Sequence, residues 1–573
     1  MNRREILTAL PIALVASQAA AATEAPRALS ARGEANLTAF ARLLAYVRFF
    51  HPTDEAAATD WNALAVSNIE AVEAARSPAE LVERFDAVFR PIAPTLKLYA
   101  TSRPPAARPD APPAAGTLVM WKHWGAALTS PSTYHAARVV VADGQPKVLP
   151  LILGAGVSAL MPTTAYAEPA AFEAPTMAAA ATAARAYSAD ERRVHLAAVI
   201  LTWGVLHHFY PYFDTAGDWN AALAEALRSA AGDPDGQAFR LTLARMVATL
   251  RDGHGNVYYR SAEKGLPIGW SWIEGQLMIT ALPDDAKDLA VGAVVTRIDG
   301  VDVRQRLAVL DPEICAATPQ WLRFRSLQRL QERPDGTPAV LQGETPDGRP
   351  FTASLAAAPW KTVYALASKS AVANFSEPRP GVVYVDLARV TDDDLRTRMA
   401  QLTAARGIVL DDRGYPSGPA RMLLYHLSDR TLHSARFEKP VVTEPDGRNV
   451  VFDGEGSWVM APHEPRFPGR LVLLTSGGSI SYAESWGGTF EGERLGPIVG
   501  GPTAGTNGNI NQLWLPGGYL VVFTGMRVRK QDGSRHHGVG IIPTVPVAQT
   551  LAGFRAGRDD VLQRGAALAA GDV

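Results

Sequence analysis

One cysteine, Cys315, stands in a chain of 573 residues, so no disulfide can close within it and no cage of thiolates can hold a metal. An excess of charge of either sign is also lacking. The 56 Lys and Arg residues face 57 Asp and Glu, a formal net charge of −1, which leaves no basic footprint for nucleic acid or an anionic surface. Beyond the N-terminal segment, no run approaches the roughly 18 apolar residues of a membrane-spanning helix. The pairs His207-His208 and His536-His537 lack Asp, Glu or His partners at ligand spacing, so neither a metal nor a cofactor is expected. What is present is a globular composition, 47% hydrophobic and 20% charged. The length suits roughly three or four domains held together by burial.

Arg3-Arg4 precede an apolar stretch, Ile6–Ala16, and the small residues Ala19–Ala22. A basic start, a short apolar core and a small-residue cleavage site describe a signal peptide over residues 1–22, too short to span a bilayer. Asn2-Arg3-Arg4-Glu5-Ile6-Leu7 resembles the twin-arginine export motif. An exported, periplasmic, otherwise soluble protein is the expectation.

An internal repeat follows. Phe50, Pro52 and Asp60-Trp61-Asn62 match Phe209, Pro211 and Asp218-Trp219-Asn220, with apolar residues at helical spacing on both sides of each Trp. Each copy reads as helix, Pro-broken turn, helix, helix, over residues 30–105 and 187–262. Two copies are too few for a solenoid, so the pattern is a duplicated module. The copies differ at their ends. The second closes with Leu250-Arg251-Asp252-Gly253-His254-Gly255-Asn256, where the first has only Thr95-Leu96-Lys97-Leu98-Tyr99. Residues 106–186 between them read as a linker with uncertain β content, strand-like at 117–121 and 137–141.

From 263 to 358 the texture is short strands and turns. Gly292–Gly300 (GAVVTRIDG) resembles the strand and turn of PDZ domains, which hold extended peptides by adding a strand to a sheet edge. Residues 360–555 alternate apolar strands with helices, which predicts a mostly parallel sheet covered by helices. Within it, Leu471–Ser476 is a buried strand that runs through Gly477-Gly478 into a helix near Ser481. A serine at a strand-to-helix turn is exposed among free backbone N–H groups, a geometry suited to a nucleophile and its oxyanion hole.

Four ordered segments carry a family resemblance: Leu250–Gly255 against "L-x-D-G-H-T", Leu410–Gly418 (LDDRGYPSG) against "L-D-L-R-x-N-P-G-G", Gly477–Glu484 (GGSISYAE) against "G-G-S-A-S-A-S-E", and Gly538–Val545 (GVGIIPTV) against "G-V-G-I-x-P-D-V". They resemble the tail-specific (carboxyl-terminal processing) and tricorn-type serine peptidases over roughly 190–550. The resemblance implies an α/β multidomain protein. Its catalytic α/β domain would have a crotonase-like sheet, joined to a PDZ-like β domain and the duplicated helical modules.

It also implies roles. The nucleophile falls on Ser481, with Ser479 the neighbour most easily confused with it, and backbone N–H groups of Tyr482 and Gly418 would form the oxyanion hole. The processing branch activates its serine with a lysine about 25 residues on, but Thr506 stands there and cannot act as a base near neutral pH. The tricorn branch uses a histidine at the "D-G-H" turn, here His254, whose imidazole can accept the serine proton. The positions that orient the histidine in that branch read Gly253 and His537, and the Asp of the closing motif reads Thr544. His537, Glu484 and Asp252 are the candidates for orienting His254. The implied activity is an exported serine peptidase acting on a polypeptide whose chain end the PDZ-like domain could recognise. A non-catalytic peptide- or ligand-binding protein and an esterase-like serine hydrolase on the same fold are the alternatives.

Overall fold

The computed structural model describes residues 26–105, 116–130, 133–259, 264–367 and 372–572; the expected signal peptide lies outside them. No helix among these residues is long and apolar enough to cross a membrane.

The repeat is helical as its periodicity predicts. The first copy has long helices at Ala31–Phe50, Trp61–Glu73 and Pro78–Phe89, and the second at Arg192–Phe209, Trp219–Gly232 and Gly236–Ala248. The shared Asp-Trp-Asn is a helix start. Asp60 Oδ1 accepts the N–H groups of Asn62 and Ala63, and Asp218 Oδ1 those of Asn220 and Ala221, each at 3.0 Å. This is the N-cap arrangement that satisfies donors no helix can pair internally. Trp61 and Trp219 follow the caps into one common core that contains both copies. One buried ion pair also joins the copies: Arg192 Nη1 and Nη2 donate to Glu73 Oε2 and Oε1 at 2.8 and 2.9 Å.

The two tails then part. Lys97–Ala100 pairs antiparallel with Val157–Pro162 in a three-stranded sheet with Val148–Gly154. Asn256–Tyr258, at the end of the second copy, pairs with Tyr519–Thr524, which pairs in turn with Ile510–Leu515. The segment expected as a linker carries five strands between Leu118 and Tyr166 and a helix, Met177–Arg185, where it is described, and it joins the catalytic domain. Leu118–Trp124 pairs with Arg436–Val442 through His123↔Val442 and Trp124↔Val441. The strand-like run expected at 117–121 is this strand, which extends through Lys122 and His123 and is buried along most of its length.

Residues 264–358 hold an antiparallel sheet in the order Pro350–Leu355, Ala339–Glu344, Val294–Ile298, Gln276–Ala281, Gly269–Ile273, with helices at Val303–Leu310 and Pro319–Arg329. At the Asp-Gly turn Asp299 and Gly300 have φ of 49° and 75°, the left-handed pair that lets Ile298 face Val301 across a two-residue hairpin.

The last domain is a mixed sheet in the order Phe375–Arg379, Val382–Asp386, Gly407–Asp411, Arg470–Thr475, Ile498–Gly500, Val545–Pro546, parallel from its second strand onward. Ile408, Leu410, Leu471 and Leu473 face Trp486 and Phe490 on one side. Val409, Val472 and Leu474 face Val561, Leu562 and Ala566 on the other. Strands buried on both faces read as continuous apolar runs for this reason. The strands Gly407–Asp411 and Arg470–Thr475 run side by side with Leu410 opposite Leu473, so their C-terminal loops emerge together.

Candidate active site

Ser481 sits where Arg470–Thr475 turns into the helix Tyr482–Gly492, with φ 59° and ψ −110°. A non-glycine residue at positive φ is strained, and here the packing around the turn holds it. Ser481 N–H donates to Thr506 O at 2.9 Å and to Glu484 Oε2 at 3.3 Å. Ser479 is fully buried, its Oγ donates to Asp412 O at 2.7 Å and accepts Ser476 N–H at 3.1 Å. It shapes the turn, while half-buried Ser481 is the serine left facing outward.

Glu484 organises the far wall. Its Oε1 accepts Thr503 Oγ1–H at 2.5 Å and Gly505 N–H at 2.7 Å, and its Oε2 accepts Thr506 N–H at 2.8 Å. A buried carboxylate with this many donors clamps the 503–506 loop against the nucleophile turn. Glu484 thus positions Ser481 rather than His254. Beneath the same helix lies Asp412, whose carboxyl oxygens have no hydrogen-bond partner among the described residues. Burial, followed by the nearby Asp411 and Glu484, pushes that carboxyl well above the usual carboxylate range.

His254 arrives from the second helical copy. Thr506 joins it to the nucleophile: its carbonyl accepts Ser481 N–H, and its Oγ1 accepts Gly253 N–H at 3.0 Å. A Cβ on Gly253 would lie 2.6 Å from Thr506 Oγ1 and 2.9 Å from Thr506 Cβ. Threonine at 506 therefore requires glycine at 253. The histidine loop is pinned on its other side by Trp321 Nε1, which donates to Gly253 O at 3.0 Å, and by Cys315 Sγ, which accepts Asp252 N–H at 3.1 Å.

The orienting contact on His254 comes from a residue the sequence did not single out. His254 Nδ1 is 2.9 Å from Thr524 Oγ1, and Thr524 Oγ1–H donates to Asp252 Oδ1 at 2.6 Å. Asp252 is fully buried and also accepts Thr524 N–H at 2.6 Å and His254 N–H at 3.0 Å. Because the threonine hydrogen goes to the carboxylate, its oxygen must accept from His254. The proton then sits on Nδ1 and the lone pair on Nε2. His537, the other expected orienting residue, stacks on Tyr212 with ring centroids 3.9 Å apart, and burial lowers its imidazole to about 4. It serves the seam between the second copy and the catalytic domain.

Among the described residues no hydrogen bond takes up the N–H of Tyr482 or of Gly418, and Gly418 borders open space. The loop before Gly418 is fixed by Ser417, whose N–H donates to Leu387 O at 2.8 Å and whose Oγ donates to Val390 O at 2.6 Å. Arg413 anchors the strand end, its Nη2 donating to Asp411 at 2.6 Å and to Asp559 at 2.7 Å. Among the described residues no group of three or more His, Cys, Asp or Glu stands together as a metal site would.

The fold is a mixed α/β multidomain arrangement in which the loop bearing His254 meets the 503–506 loop beside Ser481. Residues 381–547 match the sequence profile of Peptidase family S41. That match covers the last domain, and it supports a serine-type peptidase. No curated protein matches it in sequence. Among solved structures it shares its fold with mature CPAF complexed with lactacystin, at 14% identity and TM-score 0.51, covering 66% of this chain and 96% of that one. Mature CPAF alone gives 14%, 0.52, 64% and 94%, and a CPAF mutant gives 13%, 0.53, 66% and 95%.

Proposed function

We propose that the chain is an exported serine peptidase of the tail-specific or tricorn type that cleaves polypeptides through an acyl-enzyme on Ser481, with His254 as general base. The observation that carries this reading is Thr506, which bonds to the nucleophile through its carbonyl and to the base loop through its hydroxyl. Ser481 Oγ attacks the scissile carbonyl as its proton passes to His254 Nε2. The oxygen that gains charge accepts hydrogen bonds from Tyr482 and Gly418 N–H. His254 then gives the proton to the departing amine, the C–N bond breaks, and an ester remains on Ser481. A water, deprotonated by the same imidazole, hydrolyses the ester and restores the serine. The pair Asp252–Thr524 holds the imidazole in the required tautomer, the role a buried carboxylate plays directly in other serine peptidases. A threonine in place of the lysine base is consistent with this division of labour, since its hydroxyl serves the loop that carries the histidine.

The finer architecture belongs to the same proposal: a crotonase-like catalytic sheet and a PDZ-like domain whose edge strand, Gly269–Ile273, receives the end of the substrate chain. Residues 1–22 support export to the periplasm. The experiment is labelling with a fluorophosphonate probe and mapping of the adduct. Modification of Ser481 in the wild type, lost in His254→Ala, is the expected result. A folded wild-type protein that takes up no probe would overturn the catalytic reading in favour of a binding protein, and turnover of esters but not peptides would leave an esterase.

A further inference from the structure

Two positions in the motifs quoted above carry aromatic rings where the motif strings have Asn and Ala: Tyr415 in Leu410–Gly418 and Tyr482 in Gly477–Glu484. They lie far apart in sequence, yet their ring centroids are 6.0 Å apart. A third ring, Trp458, stands 5.8 Å from Tyr482 and is backed by buried Phe437, stacked at 5.8 Å. Tyr415 is 38% exposed and Met422, on the short helix that follows the Gly418 loop, is 43% exposed. The Arg421 guanidinium covers the Trp458 ring at 4.7 Å, and burial raises the Tyr482 phenol to about 12. The surface is therefore apolar and π-rich, with its one nearby cation already stacked.

Its position gives it a use. Tyr482 is the residue after the nucleophile, and Tyr415 precedes the loop that carries Gly418. Both backbone donors of the oxyanion hole thus carry or adjoin a ring of this cluster. A carbonyl held between those donors brings the side chain next to the scissile bond onto the rings. We propose that Tyr415, Trp458 and Tyr482 form a specificity subsite that selects a large apolar, preferably aromatic, substrate side chain flanking the cleaved bond. The inference rests on the Ser481 reading for its location, but the rings can be tested without turnover.

One aromatic contact is worth roughly fivefold to tenfold in affinity. Ser481→Ala is titrated with otherwise identical peptides that end in Phe, Leu, Ala or Asp, following Trp fluorescence and calorimetry. Peptides ending in Phe bind about tenfold more tightly than those ending in Ala or Asp. The difference shrinks to about twofold in Tyr415→Asn, a surface change that restores the motif residue, and in Trp458→Phe, which keeps the core contact with Phe437. Equal affinities across the series, or a preference that both variants keep, overturn the subsite. In active protein a peptide library must show the same order in kcat/KM at a residue flanking the cut. Labelled Ser481 with a flat library sinks the subsite and leaves the peptidase, whereas unlabelled Ser481 with a Phe preference sinks the peptidase and leaves the subsite.

Discussion

The helices Ala31–Phe50 and Arg192–Phe209 belong to copies of one module, with the same Pro-broken turn and the same Asp cap before a buried Trp. They diverge where each copy leaves its last helix. The first ends in Lys97–Ala100, which pairs with a strand of its own β segment. The second runs through His254 into Asn256–Tyr258, which pairs with the hairpin strand Tyr519–Thr524, and Gly253 bonds to Thr506 beside Ser481. Histidines in the two regions differ accordingly. His51 is buried between Thr53 and Thr95 at 3.0 and 3.1 Å, whereas half-buried His254 is held by Thr524 beside the nucleophile turn. A duplicated scaffold can thus keep one copy for support and lend the other's tail to the site, while both tails still place apolar residues such as Leu96, Leu250 and Val257 in the shared core.

The sharpest way to break the comparison is to exchange the histidines' fates. His254→Ala is expected to lower kcat about 10⁶-fold, the cost of losing a general base from a serine peptidase site, with thermal unfolding unchanged within about 2 °C. His51→Ala is expected to do the reverse, lowering stability while each folded molecule keeps its kcat. Next in size is the link between copies. Glu73→Ala leaves Arg192 buried without its carboxylate, which costs about 3–5 kcal/mol in urea unfolding. Replacing both residues, as Glu73→Leu with Arg192→Met, is expected to recover most of that loss, since a buried ion pair gives little net stability over well-packed apolar groups.

Thr524→Val removes the hydroxyl between Asp252 and His254 at nearly constant volume. The expected fall in kcat is about 10²-fold, with Thr524→Ser close to wild type; a Val variant of full activity would separate the relay from catalysis. Smaller still is Asp412→Leu. It replaces a buried carboxyl without a partner by an apolar group of similar branching, and a gain of about 1–2 kcal/mol is expected by chemical denaturation.

The repeat and the catalytic sheet were legible because their signals are local: period-3.6 patterns around Trp61 and Trp219, and apolar runs such as Leu471–Ser476. The nucleophile turn and the D-G-H loop were legible as short strings. What was not legible is what long-range packing decides. Thr524 lies 270 residues from His254 in sequence, in a strand with no motif, and only the pairing of Val521 with Val257 brings it there. His537 was a reasonable orienting candidate by position, but stacking on Tyr212 takes its ring. Leu118–Trp124 was hard to place because its partner strand, Arg436–Val442, lies in another domain.

Acid should act on support in both copies, through their buried histidines. Burial lowers the imidazoles of His51 and His123 to about 4, against an ordinary value near 6.5 in the unfolded chain. A histidine with a folded value below its unfolded one is neutral in the fold and protonated in the coil between the two, so the unfolded state binds more protons there. Its contribution is fully present above about pH 6.5 and lost as pH falls towards about 4, at up to about 1.4 kcal/mol per pH unit for each group. Urea unfolding followed across that window is expected to show stability falling with pH. Phe49 and Phe50 of the first copy pack against His123 at 6.1 and 6.0 Å, and burial also lowers His195 and His208 in the second copy and His537 at its seam, so both copies contribute. His123→Gln, which keeps a donor for Phe49 O, is expected to flatten the slope by about one histidine's share. A slope that this change leaves intact would assign the acid-sensitive stability to the other buried histidines, His51, His195, His208 and His537.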